Sequence, residues 1–121
     1  MSASDYLEGK LKDHVLRGLS YTPPTTLYLA LYTSAPNDSG GGTEVSGGGY
    51  VRQAITVSGT YSNSNIVEFP NTGWSGTIVA IGLFDASTGG NFLLYKTITS
   101  TAVASNEKPV FNVGTISFTA D

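Results

Sequence analysis

The chain has no cysteine, a single histidine and a single tryptophan, and only 12% of its 121 residues are charged. Without cysteine there is no disulfide scaffold, no thiolate zinc site and no thiol nucleophile. The charged share is about half that of ordinary soluble domains. Six Lys and Arg face nine Asp and Glu, for a net charge of −3. A nucleic-acid surface needs clustered basic side chains to neutralise phosphates, so no such partner is expected. Long apolar runs are missing too: the longest aliphatic one is Ile78-Val79-Ala80-Ile81, resumed after Gly82 by Leu83-Phe84. A membrane-spanning helix needs about 20 such residues, so membrane insertion is not expected. Met1-Ser2-Ala3-Ser4-Asp5 also lacks the basic and apolar regions of a signal peptide, which points to synthesis in a cytosol without secretion.

Gly (15), Ser (14) and Thr (15) are abundant, alongside 40% hydrophobic and 11% aromatic residues. Disorder pairs low hydrophobicity with high net charge, so this composition reads instead as a β-rich, loop-rich domain. The length fits one domain, residues 1–121, burying roughly two-thirds of its unfolded surface.

Six of the fifteen charges fall in residues 1–17, and this zone reads as an amphipathic helix over 4–17. Ser4 suits an N-cap, Asp5 and Glu8 suit the first turn, and Gly18 suits the left-handed position that ends a helix. Leu7, Leu11 and Val15 recur every four residues with Leu16 beside them, predicting a stripe packed onto another element.

The remainder, residues 25–120, reads as strands. Thr26 to Thr33 alternates, with Leu27, Leu29 and Leu31 on one face and Tyr28 and Tyr32 on the other. Tyr50 to Val57 alternates with Val51, Ile55 and Val57 on one side and Arg52 and Thr56 on the other. Ile66–Phe69 is a short strand stopped by Pro70. Thr77–Phe84 is nearly all apolar, as in a strand covered on both faces, and the Asp85–Asn91 turn cluster predicts a hairpin with Phe92–Thr99. Val110–Thr119 is a last strand, with a bulge expected at Gly114. The expected fold is mainly β: a single-domain β-sandwich or jelly-roll-like barrel with one N-terminal α-helix.

The outlier is a long Gly-rich loop, 34–49, carrying glycine triplets at 40–42 and 47–49. Loops of this length are usually functional or disordered. Because glycine triplets add no packing, the order in this loop is expected to come from a neighbouring chain.

No catalytic constellation emerges. His14 has no triad or metal partner nearby in sequence, and there is no Gly-x-Ser-x-Gly elbow. The glycine triplets lack the Lys-Ser/Thr of a phosphate loop and precede a strand. Glu44, Glu68, Asp85 and Glu107 are scattered acids that suit surface and turn positions better than a glycosidase pair. Asp38, Glu44 and Asp85 could ligate calcium, but no run of alternating oxygen ligands is present. No catalytic residue, cofactor or metal is therefore expected. Trp74 invites a sugar-stacking reading, against which stands the usual place of a lone Trp in a core or interface. Tyr28 and Tyr32 read as an interface stripe.

Four stretches carry a family resemblance. They are Ser4-Asp5-Tyr6-Leu7-Glu8-x-Lys10-Leu11-x-Asp13-His14-x-Leu16 with Tyr21-Thr22-x-Pro24-x-Thr26-Leu27-Tyr28-x-Ala30-Leu31-Tyr32-Thr33, then Gly42-Thr43-Glu44-Val45-Ser46-Gly47-Gly48-x-Tyr50-x-Arg52-Gln53-Ala54, then Gly82-x-Phe84-Asp85-Ala86-x-Thr88-Gly89-Gly90-Asn91. In this order they resemble small tailed-phage virion proteins often labelled phage tail fibre protein. The resemblance spans nearly the whole chain and implies a non-enzymatic structural subunit of the virion. A compact domain without internal repeats departs from a long, repetitive fibre shaft.

Within that implication the leading expectation is a capsid-surface cement or decoration subunit, acting as a homo-oligomer beside the major capsid protein. It requires loop 34–49 to be ordered by a neighbour; order supplied by its own domain would count against it. A tail-fibre or baseplate subunit held by other tail proteins is the alternative. A host-surface carbohydrate-binding module with Trp74 and exposed tyrosines as platforms is a third reading, and a buried Trp74 would end it. The interface candidates are Glu44, Tyr50 and Arg52, followed by Tyr28, Tyr32 and Trp74, with the helix surface at Lys10, Lys12 and Arg17 a further possibility.

Overall fold

The computed structural model describes residues 1–119; the last residue of the expected 25–120 strand region lies outside them. The elements are β1 (Ser2–Ala3), α1 (Asp5–Arg17), β2 (Leu27–Ser34), β3 (Thr43–Glu44), β4 (Gln53–Ile55), β5 (Val67–Glu68), β6 (Gly76–Phe84), β7 (Phe92–Val103) and β8 (Val110–Phe111).

The helix ends as its sequence dictates. Ser4 Oγ accepts from the Leu7 N–H at 3.2 Å and donates to the Phe92 carbonyl, so the cap also ties α1 to β7. Gly18 takes a left-handed φ of 67°, and the Leu19 N–H reaches back to the Asp13 carbonyl at 3.1 Å. The roll of the helix differs from expectation. No helix residue is buried, and Leu11, Val15 and Leu16 are 42%, 74% and 76% exposed. The half-buried positions are Tyr6, Leu7, Gly9 and Asp13, so the side carrying Tyr6, Gly9 and Asp13 turns toward β7. Tethers at Ser4 and from the Asp5 N–H to the Asp38 carbonyl (2.7 Å) fix this roll and leave most of the apolar stripe in solvent. Gly9 lies inside the helix, and a Cβ there would meet nothing within 4 Å. Gly9→Ala should therefore raise stability by about 0.5–1 kcal/mol, read as a higher midpoint in thermal unfolding followed by circular dichroism.

The main sheet is antiparallel, ordered β1-β7-β6-β2-β3, with β4 also paired to β2. The alternation in β2 is as predicted. Leu29 and Leu31 enter the main core with Ile81 and Leu83, while Ala30 and Tyr32 join a smaller cluster with Ala80 and Phe84 on the other face. The strand β6 is covered on both faces. A register shift between Ile78 and Ala80 changes the phase of its alternation, so Ile78 and Ile81 share one core despite their three-residue spacing. The predicted hairpin joins β6 to β7. In its turn, Asn91 donates from its backbone N–H and its Nδ2 to the two oxygens of Asp85, at 2.7 and 2.9 Å. Partial desolvation raises the Asp85 pKa, but these bonds outweigh it and hold the carboxyl below its usual range.

The second layer of the sandwich has only two strands, β5 and β8. It covers the main sheet through Val67, Phe69, Trp74 and Ile116, each 4% exposed or less. Loops complete this layer, and buried amides substitute for ladder bonds. Asn63, fully buried, donates to the carbonyls of Asn65 and Asn112 and accepts from the Ile116 N–H, all at 2.9 Å. Asn71 likewise bridges the Ala104 and Glu107 carbonyls.

This substitution is why the expected strands 50–57, 66–69 and 110–119 shrink to two or three residues each. Val51 and Val57 are left 48% and 36% exposed while Ile55 is buried, so the predicted apolar face there survives only at Ile55. Gly114 lies in a turn closed by the Thr115 N–H on the Asn112 carbonyl, not in a bulge.

Candidate functional site

The loop 34–49 is ordered by its own chain, contrary to the expectation of an external partner. The Asn37 and Gly40 backbones exchange two hydrogen bonds, β3 pairs with β2, and the Val45 N–H donates to the Leu31 carbonyl at 2.9 Å. Its glycines are a geometric requirement rather than slack. Gly48 has φ 54°, and a Cβ there would lie 2.2 Å from the Trp74 nitrogen; the Thr72 N–H donates to the Gly48 carbonyl at 2.7 Å. Gly42 has φ 69°, with the Ser34 carbonyl oxygen 2.5 Å from a Cβ position. Only glycine allows both the left-handed backbone and such close approach.

Glu44, Tyr50 and Arg52 meet where this loop crosses the sheet. Arg52 donates from Nε and Nη2 to the two oxygens of Glu44, each at 2.9 Å, in a two-pronged ion pair. Its Nη1 reaches the carbonyls of Gly89 (2.8 Å) and Ala86 (3.1 Å) in the β6–β7 turn. The guanidinium carbon lies 3.5 Å from the centre of the Phe84 ring, a cation–π contact. Tyr50 Oη donates to Glu44 Oε2 at 2.7 Å and accepts from the Leu31 N–H at 3.0 Å. One arginine thus joins the long loop, the chain entering β4 and the hairpin turn.

The electrostatics follow from that packing. Burial disfavours the Arg52 charge, but the Glu44 carboxylate more than offsets this and its pKa rises. Burial, and then the hydrogen bond to Glu44, push the Tyr50 phenol far up. Tyr32 is pushed up to about 12 by burial and by the negative charge of Glu44. All these groups keep their ordinary charge state through the physiological range.

Above the node opens a shallow cleft of about 350 Å³, floored by Glu44, Tyr50 and Arg52 and rimmed by Val51 and the turn at Ser87–Gly89. The other interface candidates lie elsewhere. Tyr32 is 4% exposed, with its ring 6.4 Å from that of Phe92. The two rings fill the space where Gly82 lacks a side chain. Tyr28 is half-buried on the same strand face. Trp74 is 4% exposed, edge-on to Tyr50, with Nε1 donating to the Pro70 carbonyl at 2.8 Å. A buried indole offers no face to a sugar, which removes the Trp74 platform.

The suggested calcium ligands do not converge. Glu44 faces Arg52, Asp85 faces Asn91, and Asp38 sits with Asp5 and Glu8 in an exposed acidic group whose oxygens lie within 4.8 Å of one another. His14 Nδ1 donates to the Leu19 carbonyl at 2.9 Å as part of the helix end. Among the described residues no helix is long and apolar enough to cross a membrane.

A family model for the podophage GP4 fiber I protein gp80 matches residues 2–119. The chain belongs to that family. Nothing among curated proteins matches it. The match runs from β1 past β8, so it takes in the helix, both sheets and the Glu44–Arg52 node, and it bears out the resemblance to phage virion proteins labelled tail fibre. As a member of a phage fibre family, the chain is a virion structural protein.

The sequence singles out Glu44, Tyr50 and Arg52 as contacts to outside partners. The structure brings them together and turns them on one another. The partners it had missed, Phe84 and the Ala86 and Gly89 carbonyls, lie in the Phe84–Asn91 motif. The available signal was one arginine in an expected strand and one glutamate in the long loop, the pair a low-charge sheet zone would need to match.

Proposed function

We propose that the chain is a non-enzymatic subunit of a tailed-phage tail fibre, docking other virion proteins through a rigid β-scaffold. The observation carrying this reading is the fibre-family match across residues 2–119. The internal bonding of the site supports it. The carboxylate best placed for chemistry, Glu44, is neutralised by Arg52 and capped by Tyr50, which suits a strut and not an acid or base. Against the leading expectation of a cement subunit stands loop 34–49, which that role needed a neighbour to order and which is hydrogen-bonded within its own chain. Within this reading the rim of the cleft, including the exposed Val51, contacts partners, while Glu44, Tyr50 and Arg52 hold its shape from beneath.

The test is the number of copies per particle, measured by quantitative mass spectrometry of purified virions against the major capsid protein. A small number set by the single tail supports the fibre reading. Copies in proportion to the capsid lattice would return the chain to the shell.

A further inference from the structure

The sandwich is open along one side, where the free edges of β7 and β8 flank a common gap. β1 covers β7 only at Leu94 and Tyr95, so among the described residues 96–103 have β6 alone as a neighbour in the sheet. β8 likewise has β5 alone. The Ser4 N–H donates to the Leu93 carbonyl at 2.8 Å and Ser2 pairs with Tyr95, which fixes the direction of the β7 backbone groups. At the two-residue period of an antiparallel ladder, the Thr97 N–H and C=O point out along that same edge, just past the end of β1. Thr97 and Thr101 then pair with Ala80 and Ile78, so β7 carries extra residues there and bulges. A bulge blunts an edge, which confines the regular template to residues 96–98.

Between the two edges lies an apolar crevice of about 180 Å³, lined by Leu31, Ile78, Ile98, Val103, Val110 and Phe111. A dry cavity of about 150 Å³ with such a lining holds a benzene ring, so one apolar side chain fits here. The chain itself shows how an edge strand fills such space: Met1, leading into β1, is 9% exposed and packs in the main core. Two lysines bracket the crevice. Lys96 starts the open edge, and Lys108 precedes Pro109, which also lines the gap. Among the described residues neither lysine is in an ion pair. Glu107 is turned onto the Ala104 N–H at 3.0 Å, and Glu68, opposite Val110 on β5, reaches neither lysine.

We propose that an extended segment of a different polypeptide adds a strand to the β7 edge at Thr97, antiparallel to β7 and in line with β1. One aliphatic side chain enters the crevice, and acidic side chains at the ends of the segment meet Lys96 and Lys108. Opposed residues of an antiparallel pair share a face, so the aliphatic residue sits opposite Ile98. Main-chain hydrogen bonds supply the affinity, while the crevice and the lysines select the sequence. A second copy of β7 fits worse: its sequence, FLLYKTITSTAV, holds a lysine and no acid, so pairing with itself would bring no carboxylate to Lys96. The inference rests on the sandwich alone and holds wherever in a particle the chain sits.

Nuclear magnetic resonance titration of the whole chain with a blocked seven-residue peptide, alternating Thr and Val with Asp at each end, tests this. Saturable shifts are expected at Thr97, Ile98, Val103 and Phe111, with slower exchange of the Thr97 amide hydrogen. Replacing the peptide's Val by Ser should weaken binding by about tenfold or more. Thr97→Pro removes the donor at an edge position that tolerates proline, and should abolish binding while the fold persists. Lys108→Glu, at an exposed site, should weaken this peptide by about two- to fivefold and favour one with Lys at its ends. Should Thr97→Pro fail to fold, Lys108→Glu and the Ser peptide still decide. Absence of saturable binding, shifts confined to other surfaces, or binding indifferent to these changes would overturn the strand addition. Self-association of the chain that Thr97→Pro abolishes would overturn the choice of a foreign segment.

Discussion

Gly48→Ala should lose about 3 kcal/mol or more of folding stability, through left-handed strain plus backbone collision. The methyl group would have to occupy space 2.2 Å from the Trp74 nitrogen and 2.7 Å from the Gly73 carbonyl carbon. Neither neighbour is the flexible end of a side chain, so relief requires the loop to lift off the segment that carries Trp74. That would break the hydrogen bond from Thr72 to the Gly48 carbonyl and loosen the indole against Tyr50. Gly47 supplies the control. It has φ 76°, but a Cβ there meets nothing within 4 Å, so Gly47→Ala should cost only the left-handed term of about 1–2 kcal/mol. Urea unfolding followed by tryptophan fluorescence measures both, since Trp74 is the one indole. Equal losses at the two positions would show that Gly48 is not in close contact.

Arg52→Ala should cost about 2–4 kcal/mol, somewhat under the usual figure for breaking a fully buried ion pair. The side chains of Arg52 and Glu44 are 10% and 23% exposed, so the pair is screened but not free in water. Truncating Arg52 leaves Glu44 with Tyr50 alone, removes the donor from the Ala86 and Gly89 carbonyls, and strips the Phe84 ring of its cation. Arg52→Lys should recover less than half of that loss, because an ammonium cannot fork across the carboxylate while reaching the turn. Chemical denaturation of the three proteins ranks them directly, and full rescue by lysine would reduce the node to simple charge pairing.

What could be read from the sequence, and what could not, divides along physical lines. The capped helix, the alternating β2, the buried β6 and the hairpin with its Asp85–Asn91 turn were legible, because each is set by local rules of capping, periodicity and turn chemistry. The helix roll was not. A stripe of Leu7, Leu11 and Val15 looks the same whether it faces a core or solvent, and the tether at Ser4 is a tertiary fact. The short strands after residue 50 were over-read because Asn63, Asn65 and Asn71 take backbone partners that a ladder would otherwise use. The glycine triplets read as adding no packing, yet Gly42 and Gly48 mark close backbone approaches. At the node the residues were found and their partners were not, since ion pairing between Glu44 and Arg52 depends on how the loop crosses β2.

The proposal that this scaffold is a fibre component of the virion is tested by its place in the particle. Cryo-electron microscopy of intact virions should show density for the six-stranded sheet and its 13-residue helix on the fibres of the tail. The same density repeated over the capsid lattice, and absent from the tail, would contradict it.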